Sequence, residues 1–348
     1  MFKIRLENLL KTISDNECIY VKNEKNVYYY SGFSGEGFLL ISKTSKVIVT
    51  DFRYIYDAKK SEKYGFEVFN IRDGIENAID KSFSILYIEG DNVTFNEYEK
   101  LKQKFPQAEV VSKNMFENTR DIKTDEEISN IKKASQIAES AFENILKLID
   151  CNVTEKQLAA EFEYLVKKNG ASGVSFNTIV ASGVNSSMPH AVPTDKKINK
   201  FDFITFDFGC VYNHYCSDMT RTVAFGGATD KMKNIYSIVL KAQLEGLKNV
   251  NEGIKCSLVD KSARDIIDKE GYKEQFGHGL GHGVGLNVHE KPNLSPRSDA
   301  VLKNNMVVTV EPGIYLEGEF GVRIEDLVVV KDKNPYILTK FEKNLIII

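Results

Sequence analysis

Apolar residues recur with two different periods along this chain, and the change of period divides it. In residues 1 to about 120, short apolar runs at 18–21, 27–30, 38–41, 46–49 and 85–89 read as strands separated by helix-like stretches, which predicts a small α/β unit. Tyr28-Tyr29-Tyr30-Ser31-Gly32 is read here as a strand running into a turn. Thr124-Asp125-Glu126-Glu127 is a capping box, and Ile128, Ile131, Ala138, Phe142, Ile145 and Ile149 follow it at helical spacing. A second box, Thr154 to Gln157, opens a helix that stops at Asn169-Gly170. Further helices are predicted over 230–249 and 257–270, while strands dominate 203–225 and 306–330. Residues 124–348 therefore read as an α+β domain of antiparallel strands with helices over the outer face. A chain of 348 residues exceeds the usual reach of one core, so two domains are expected, 1–120 and 124–348.

The strand alternation exposes a problem of charge. Side chains two apart on a strand share a face, so Asp207 lies with Thr205 while Phe206 and Phe208 point the other way. Asp218 aligns with Thr220 and Thr222, Glu311 with Thr309, and Glu325 with Arg323 while Val322 and Ile324 face away. Each acid sits in a β-branched or aromatic-rich run, a poor place for an unpaired charge. Four carboxylates brought together would push their pKa values up strongly unless cations cancel them. Two divalent ions do so formally, and hard oxygen donors suit such ions. The pattern points to a two-metal hydrolase.

Three of the five histidines, His278, His282 and His289, lie in one glycine-rich segment. The spacing of four between the first two would share a helix face, but Gly279, Gly281, Gly283 and Gly285 make a helix improbable there. The zinc pattern HExxH is absent, and the glycines fit neither GxGxxG nor a GK[ST] phosphate loop. What remains is a tight backbone that sets imidazoles beside a cleft.

The order Asp, Asp, His, Glu, Glu, with MPHA, DMTRT, the His-Gly segment, EPGIY and VRIED around it, resembles the Xaa-Pro peptidases, aminopeptidase P and prolidase, among the pita-bread metallopeptidases. The resemblance covers essentially the whole chain. It implies a pita-bread catalytic domain behind a creatinase-type N-terminal domain. It also implies that Asp207 chelates one metal, that His282 and Glu311 belong to the other, and that Asp218 and Glu325 bridge them. His190 and His289 would line the substrate site, His278 and Arg323 match further active-site positions, and Tyr315 lies behind them. Two metals sharing a water would lower its pKa from about 15.7 towards 7, so hydroxide becomes available to attack the bond before proline. Glu311 is the expected proton shuttle, with His289 and His278 donating to the developing oxyanion. Manganese suits four carboxylates and one imidazole, and cobalt or zinc could substitute. Small peptides with proline in second position are the expected substrates, and a homodimer is implied.

Composition adds exclusions. A net charge of −3 gives no footprint for nucleic acid or an anionic membrane. The first residues, MFKIRLENLLKTISDNE, carry charge every few positions and form neither a secretory signal nor a membrane anchor. Five cysteines without zinc spacing suggest reduced thiols in the cytoplasm, Cys210 and Cys216 being small buried residues. Asp51-Phe52-Arg53-Tyr54 resembles the DxRY segment of the family's N-terminal domain, so Arg53 and Tyr54 are substrate-site candidates against the simpler reading of a local salt bridge. Methionine aminopeptidase and a non-enzymatic binding module are rival readings. Prolidase is the nearest one, and Arg297 would then grip the proline carboxylate.

Overall fold

The computed structural model describes residues 1–116 and 118–348. It divides into two compact units, Met1–Glu117 and Asn118–Ile348. The first holds a six-stranded sheet in the order Glu67–Asn70, Lys46–Thr50, Gly37–Ser42, Glu17–Val21, Ile85–Ile88, Glu109–Ser112. Its central strands pair antiparallel and its outer ones parallel. Cys18, Tyr20, Phe38, Leu40, Phe83 and Phe105 share a buried cluster on it.

One expected strand of this unit is a helix. Residues 27–30 belong to the helix Glu24–Ser31. Asn23 caps it by accepting from the backbone of Lys25 and Asn26, and Gly32 ends it at φ 75°. Three tyrosines and a valine favour a strand by propensity, but the cap, the stop and the packing of Val27, Tyr29 and Tyr30 prevail.

The second unit is α+β. The capping boxes at Thr124 and Thr154 start the helices Asp125–Leu146 and Glu155–Lys168. Two more helices, Asp230–Lys248 and Cys256–Lys269, follow the strands Phe203–Phe208 and Met219–Ala224. Phe203–Phe208 pairs antiparallel with Met219–Ala224 on one side and Ile179–Ser182 on the other. A five-stranded sheet runs Glu290–Leu294, Gly281–Gly283, Val307–Val310, Asp326–Val329, Tyr336–Ile337, and Gly313–Leu316 pairs with Phe320–Arg323.

Alternation decides what these sheets bury. Phe206 and Phe208 turn to the first helix pair, where Phe142 meets their rings at 5.2 and 4.7 Å. Val308, Val310, Val322 and Ile324 turn to the core of the second helix pair. The opposite faces carry threonines and acids, stitched between strands by Thr205–Thr222 at 3.0 Å and Thr220–Glu325 at 2.7 Å. Cys210 and Cys216 are buried. No helix among the described residues is long and apolar enough to cross a membrane.

Behind the acids lies a separate buried ion pair. Arg221 donates to Asp326 at 2.8 Å and to the carbonyls of Glu325, Phe341 and Glu342. Gln243, Thr339 and Lys343 complete the shell of Asp326, each at 2.7 Å. Arg221→Ala leaves Asp326 with one of its two cations, and a loss of about 3–5 kcal/mol is expected. Urea denaturation followed by far-UV circular dichroism checks it; an unchanged unfolding midpoint would count against the pair as a stabilising element.

Candidate metal centre

A cavity of about 690 Å³ in the second unit is bordered by Asp207, Asp218, His282, Glu311 and Glu325 together with His190, His278, His289 and Arg323. Asp207 comes from the strand Phe203–Phe208, Asp218 immediately precedes Met219–Ala224, and His282 is the middle residue of Gly281–Gly283. Glu311 follows Val307–Val310, and Glu325 sits between Phe320–Arg323 and Asp326–Val329. Glycine at 281 is required by contact, because a Cβ there would run into the carbonyl of Thr309 on the neighbouring strand. That closeness also lets the His282 amide donate to Thr309 Oγ1 at 3.0 Å.

Asp218, His282 and Glu325 each offer a ligand atom within 4.8 Å of the others. His282 Nδ1 lies 3.0 Å from the carbonyl of Gly283, which can only accept, so Nδ1 carries the proton. Burial holds the ring's pKa down at about 4, so Nε2 keeps a lone pair. That lone pair faces Asp218 Oδ2 at 3.5 Å and Glu311 Oε1 at 3.4 Å. Acceptors facing one another in this way need a cation or protons between them.

The carboxyls show the same deficit. Burial, then the charges of Glu325, Asp207 and Glu311, raise Asp218 well above the usual carboxylate range. Burial, then Glu311 and Asp207, do the same to Glu325. Glu311 is pushed up to about 8, chiefly by burial, against the pull of Arg323. Asp207 Oδ1 and Glu325 Oε1 are buried without a hydrogen-bond partner among the described residues. Asp326 is next in sequence to Glu325 and equally buried, yet Arg221 and Lys343 hold it down at about 2. Among the described residues on the cavity wall Arg323, beside Asp207, is the one such cation for four carboxylates, and hard oxygens with one imidazole nitrogen suit divalent ions. Asp207, Asp218, His282, Glu311 and Glu325 could hold them.

Arg323 is committed within the wall. It donates to Asp207 Oδ2 at 2.7 Å, Tyr315 Oη at 2.8 Å, Thr220 Oγ1 at 3.1 Å and the Pro189 carbonyl at 3.3 Å. The expectation that His278 donates to an oxyanion needs correction. Its Nδ1 donates to the Gly279 carbonyl at 2.8 Å, and its Nε2 lies 3.0 Å from Tyr315 Oη, whose hydroxyl donates to it. Both ring nitrogens are engaged, and burial keeps the ring neutral with a pKa of about 4. His190 and His289 are exposed on the cavity, the His289 ring 4.4 Å from that of His282. In the first unit Arg53 closes on Asp51 at 2.6 Å and Glu36 at 2.8 Å, the local ion pair of the simpler reading.

Other residues went unnoticed in the sequence. Phe176, Asn177, Asn293 and Ser295 also border the cavity. Glu155, fully buried, accepts from Ser182 N and Oγ at 2.6 and 2.8 Å and from Thr194 N and Oγ1 at 3.0 and 2.6 Å. It thereby ties together both ends of the segment that carries His190. Glu290, beside His289, is paired with Arg120 at 3.1 Å and Lys123 at 3.3 Å. Arg297 borders a neighbouring cavity.

Antiparallel sheets with such a donor set on their inner faces define a metal-dependent hydrolase. Residues 129–332 match Metallopeptidase family M24, and residues 5–122 match the Creatinase/Prolidase N-terminal domain. The chain belongs to metallopeptidase family M24. It is similar to the structure of an Xaa-Pro dipeptidase from Bacillus anthracis, with a TM-score of 0.94, 42% identity and 99% of each chain covered. An X-Pro aminopeptidase structure from Thermotoga maritima gives a TM-score of 0.92 at 38% identity, over 99% of this chain and 100% of that one. An Xaa-Pro dipeptidase of Pyrococcus furiosus is 38% identical over 99% of this chain and 100% of its own length.

The shifted groups set a pH dependence for the metal-free protein. His278 and His282, lowered from 6.5 to about 4, add stability as pH rises to about 6.5 and nothing further above it. Glu311, raised from 4.5 to about 8, binds its proton more tightly when folded, so its term falls as pH rises to about 8. A lower melting temperature at about pH 8 than at about 6.5 is expected without metal, with the slope reduced in Glu311→Gln and abolished by saturating Mn²⁺. A flat metal-free profile across that window, read by scanning calorimetry, would contradict the charge deficit.

Proposed function

We propose that this peptidase hydrolyses the bond preceding proline and releases the N-terminal residue from Xaa-Pro peptides longer than two residues. The observation that carries the length preference is the state of the cavity's cations. Among the described residues on its wall, Arg323 is the one lysine or arginine, and four of its five N–H groups are engaged by Asp207, Tyr315, Thr220 and Pro189. No cation is left over to grip the carboxylate of a dipeptide. A restricted Xaa-Pro dipeptidase is the second reading, favoured by the names of the Bacillus anthracis and Pyrococcus furiosus relatives. It would require Arg297 to reach in from the adjoining cavity.

In this reading Asp207 would serve one ion, His282 and Glu311 the other, and Asp218 and Glu325 both. When bound, divalent ions supply Lewis acidity and lower the pKa of water in the site. Glu311 takes the proton of the attacking water and hands it to the leaving proline nitrogen. Thr309 Oγ1 donates to Glu311 Oε1 at 3.2 Å, so Oε2 is the freer oxygen for that transfer. His289 and His190, exposed on the cavity, donate to the substrate carbonyl, while Tyr315 and His278 fix Arg323 and through it Asp207. Proline suits such a site because its nitrogen has no hydrogen and its ring fixes φ. Manganese is the proposed ion, a homodimer the proposed assembly and the cytoplasm the proposed compartment.

Chelation followed by manganese reloading allows an Xaa-Pro dipeptide and an Xaa-Pro-Xaa tripeptide to be compared on one preparation. Efficient tripeptide cleavage is expected; turnover of the dipeptide alone would establish the second reading. In the same assay His289→Ala is expected to lower kcat by about 10²–10³ while metal stoichiometry is retained. Equal losses of metal and turnover would make His289 a ligand instead.

A further inference from the structure

A second cavity of about 520 Å³ adjoins the first, with Asn293 and Ser295 on the wall of both. We infer that it receives the residues following proline in the substrate and favours acidic side chains there; the inference rests on the Xaa-Pro reading above. Its volume falls within the range of small-ligand sites.

The wall between the two cavities is built from an edge strand. Glu290–Leu294 ends the five-stranded sheet and pairs only with Gly281–Gly283 among the described residues. An unpaired edge offers backbone donors and acceptors to an extended peptide. An extended chain advances about 3.3–3.6 Å per residue. A peptide whose scissile bond lies at the carboxylate cluster can therefore follow this strand past Asn293 and Ser295, carrying its first or second residue after proline into the second cavity.

The charge of that cavity sets the preference. Lys291, Arg297 and Lys303 line it, and Asp121 is the one acid among the described residues on its wall. Arg297 and Lys303 are exposed, and neither forms an ion pair among the described residues. Elsewhere the cations near this cleft are consumed: Arg323 by Asp207, and Lys123 and Arg120 by Glu290. Unpaired cations beside a substrate path attract a carboxylate, and exposure keeps the effect modest and sensitive to salt.

The test uses the manganese-loaded full chain and C-terminally amidated tetrapeptides, Ala-Pro-Xaa-Ala and Ala-Pro-Ala-Xaa, with Xaa either Glu or Gln. The readout is the Glu-to-Gln ratio of kcat/KM within each protein, which is independent of overall activity. At low ionic strength a ratio of about 3 to 10 is expected at one of the two positions, declining towards 1 at high salt. Arg297→Glu combined with Lys303→Glu is expected to bring the ratio below 1. A wild-type ratio of 1 at both positions, or an unchanged ratio in the double variant, overturns the inference while leaving the Xaa-Pro reading intact. Failure to cleave any of the peptides overturns both.

Discussion

Glu325 and Asp326 are adjacent, equally buried and opposite in electrostatic fate. Asp326 turns to Arg221 and Lys343 and stays ionised with ease; Glu325 turns to other acids and is driven towards its protonated form. Glu325 closes the link between two strands and Asp326 opens the second of them, so two consecutive acids are delivered to two different environments. On one side the protein provides its own cations. On the other it gathers Asp218, Glu311 and Glu325 around the lone pair of His282 with too few of them, and Arg323 is engaged by Asp207. The second unit is arranged around that imbalance, which only cations from outside or bound protons can relieve.

Much of this arrangement could be read from residue order, because it depends on alternation. Phe206 and Phe208 had to bury, so Asp207 had to face away from them, and the same logic orients Thr309 with Glu311 against Val308 and Val310. The capping boxes fixed two helix starts for an equally local reason. Residues 27–30 misled because tyrosine and valine suit a strand, whereas the outcome was decided by Asn23 and Gly32 at either end. His278 misled differently. Its position beside the cleft followed from the glycine-rich segment, but the occupancy of its nitrogens depends on Tyr315, thirty-seven residues away. Asn293, Ser295 and Glu155 were invisible for the same reason. Their importance lies in what surrounds them after folding.

The glycine-rich segment illustrates how a flexible sequence becomes a rigid site. Without side chains its glycines cannot anchor it, so anchoring comes from outside. Arg264 donates to the carbonyls of Phe276 and His278, and Asp260 accepts from the amide of Leu280. Thr309 holds the amide of His282, and Glu290 holds that of Asn287. Gly281 permits the close approach that makes the Thr309 contact possible. The segment is thus held at five points along its length by four side chains, and rigid support of this kind is what keeps imidazoles within catalytic tolerance.

The anchors are themselves mostly charged, which ties the site's precision to its electrostatics. Glu155 grips the two ends of the His190 segment, and Glu290, beside His289, is neutralised by Lys123 and Arg120. These acids accept several hydrogen bonds each and are satisfied within the protein, whereas the acids on the cavity side leave oxygens without partners. Each of these buried carboxylates therefore does one of two jobs, decided by whether donors converge on it. Where they do, it fixes backbone. Where they do not, it faces the cavity as an incomplete coordination shell.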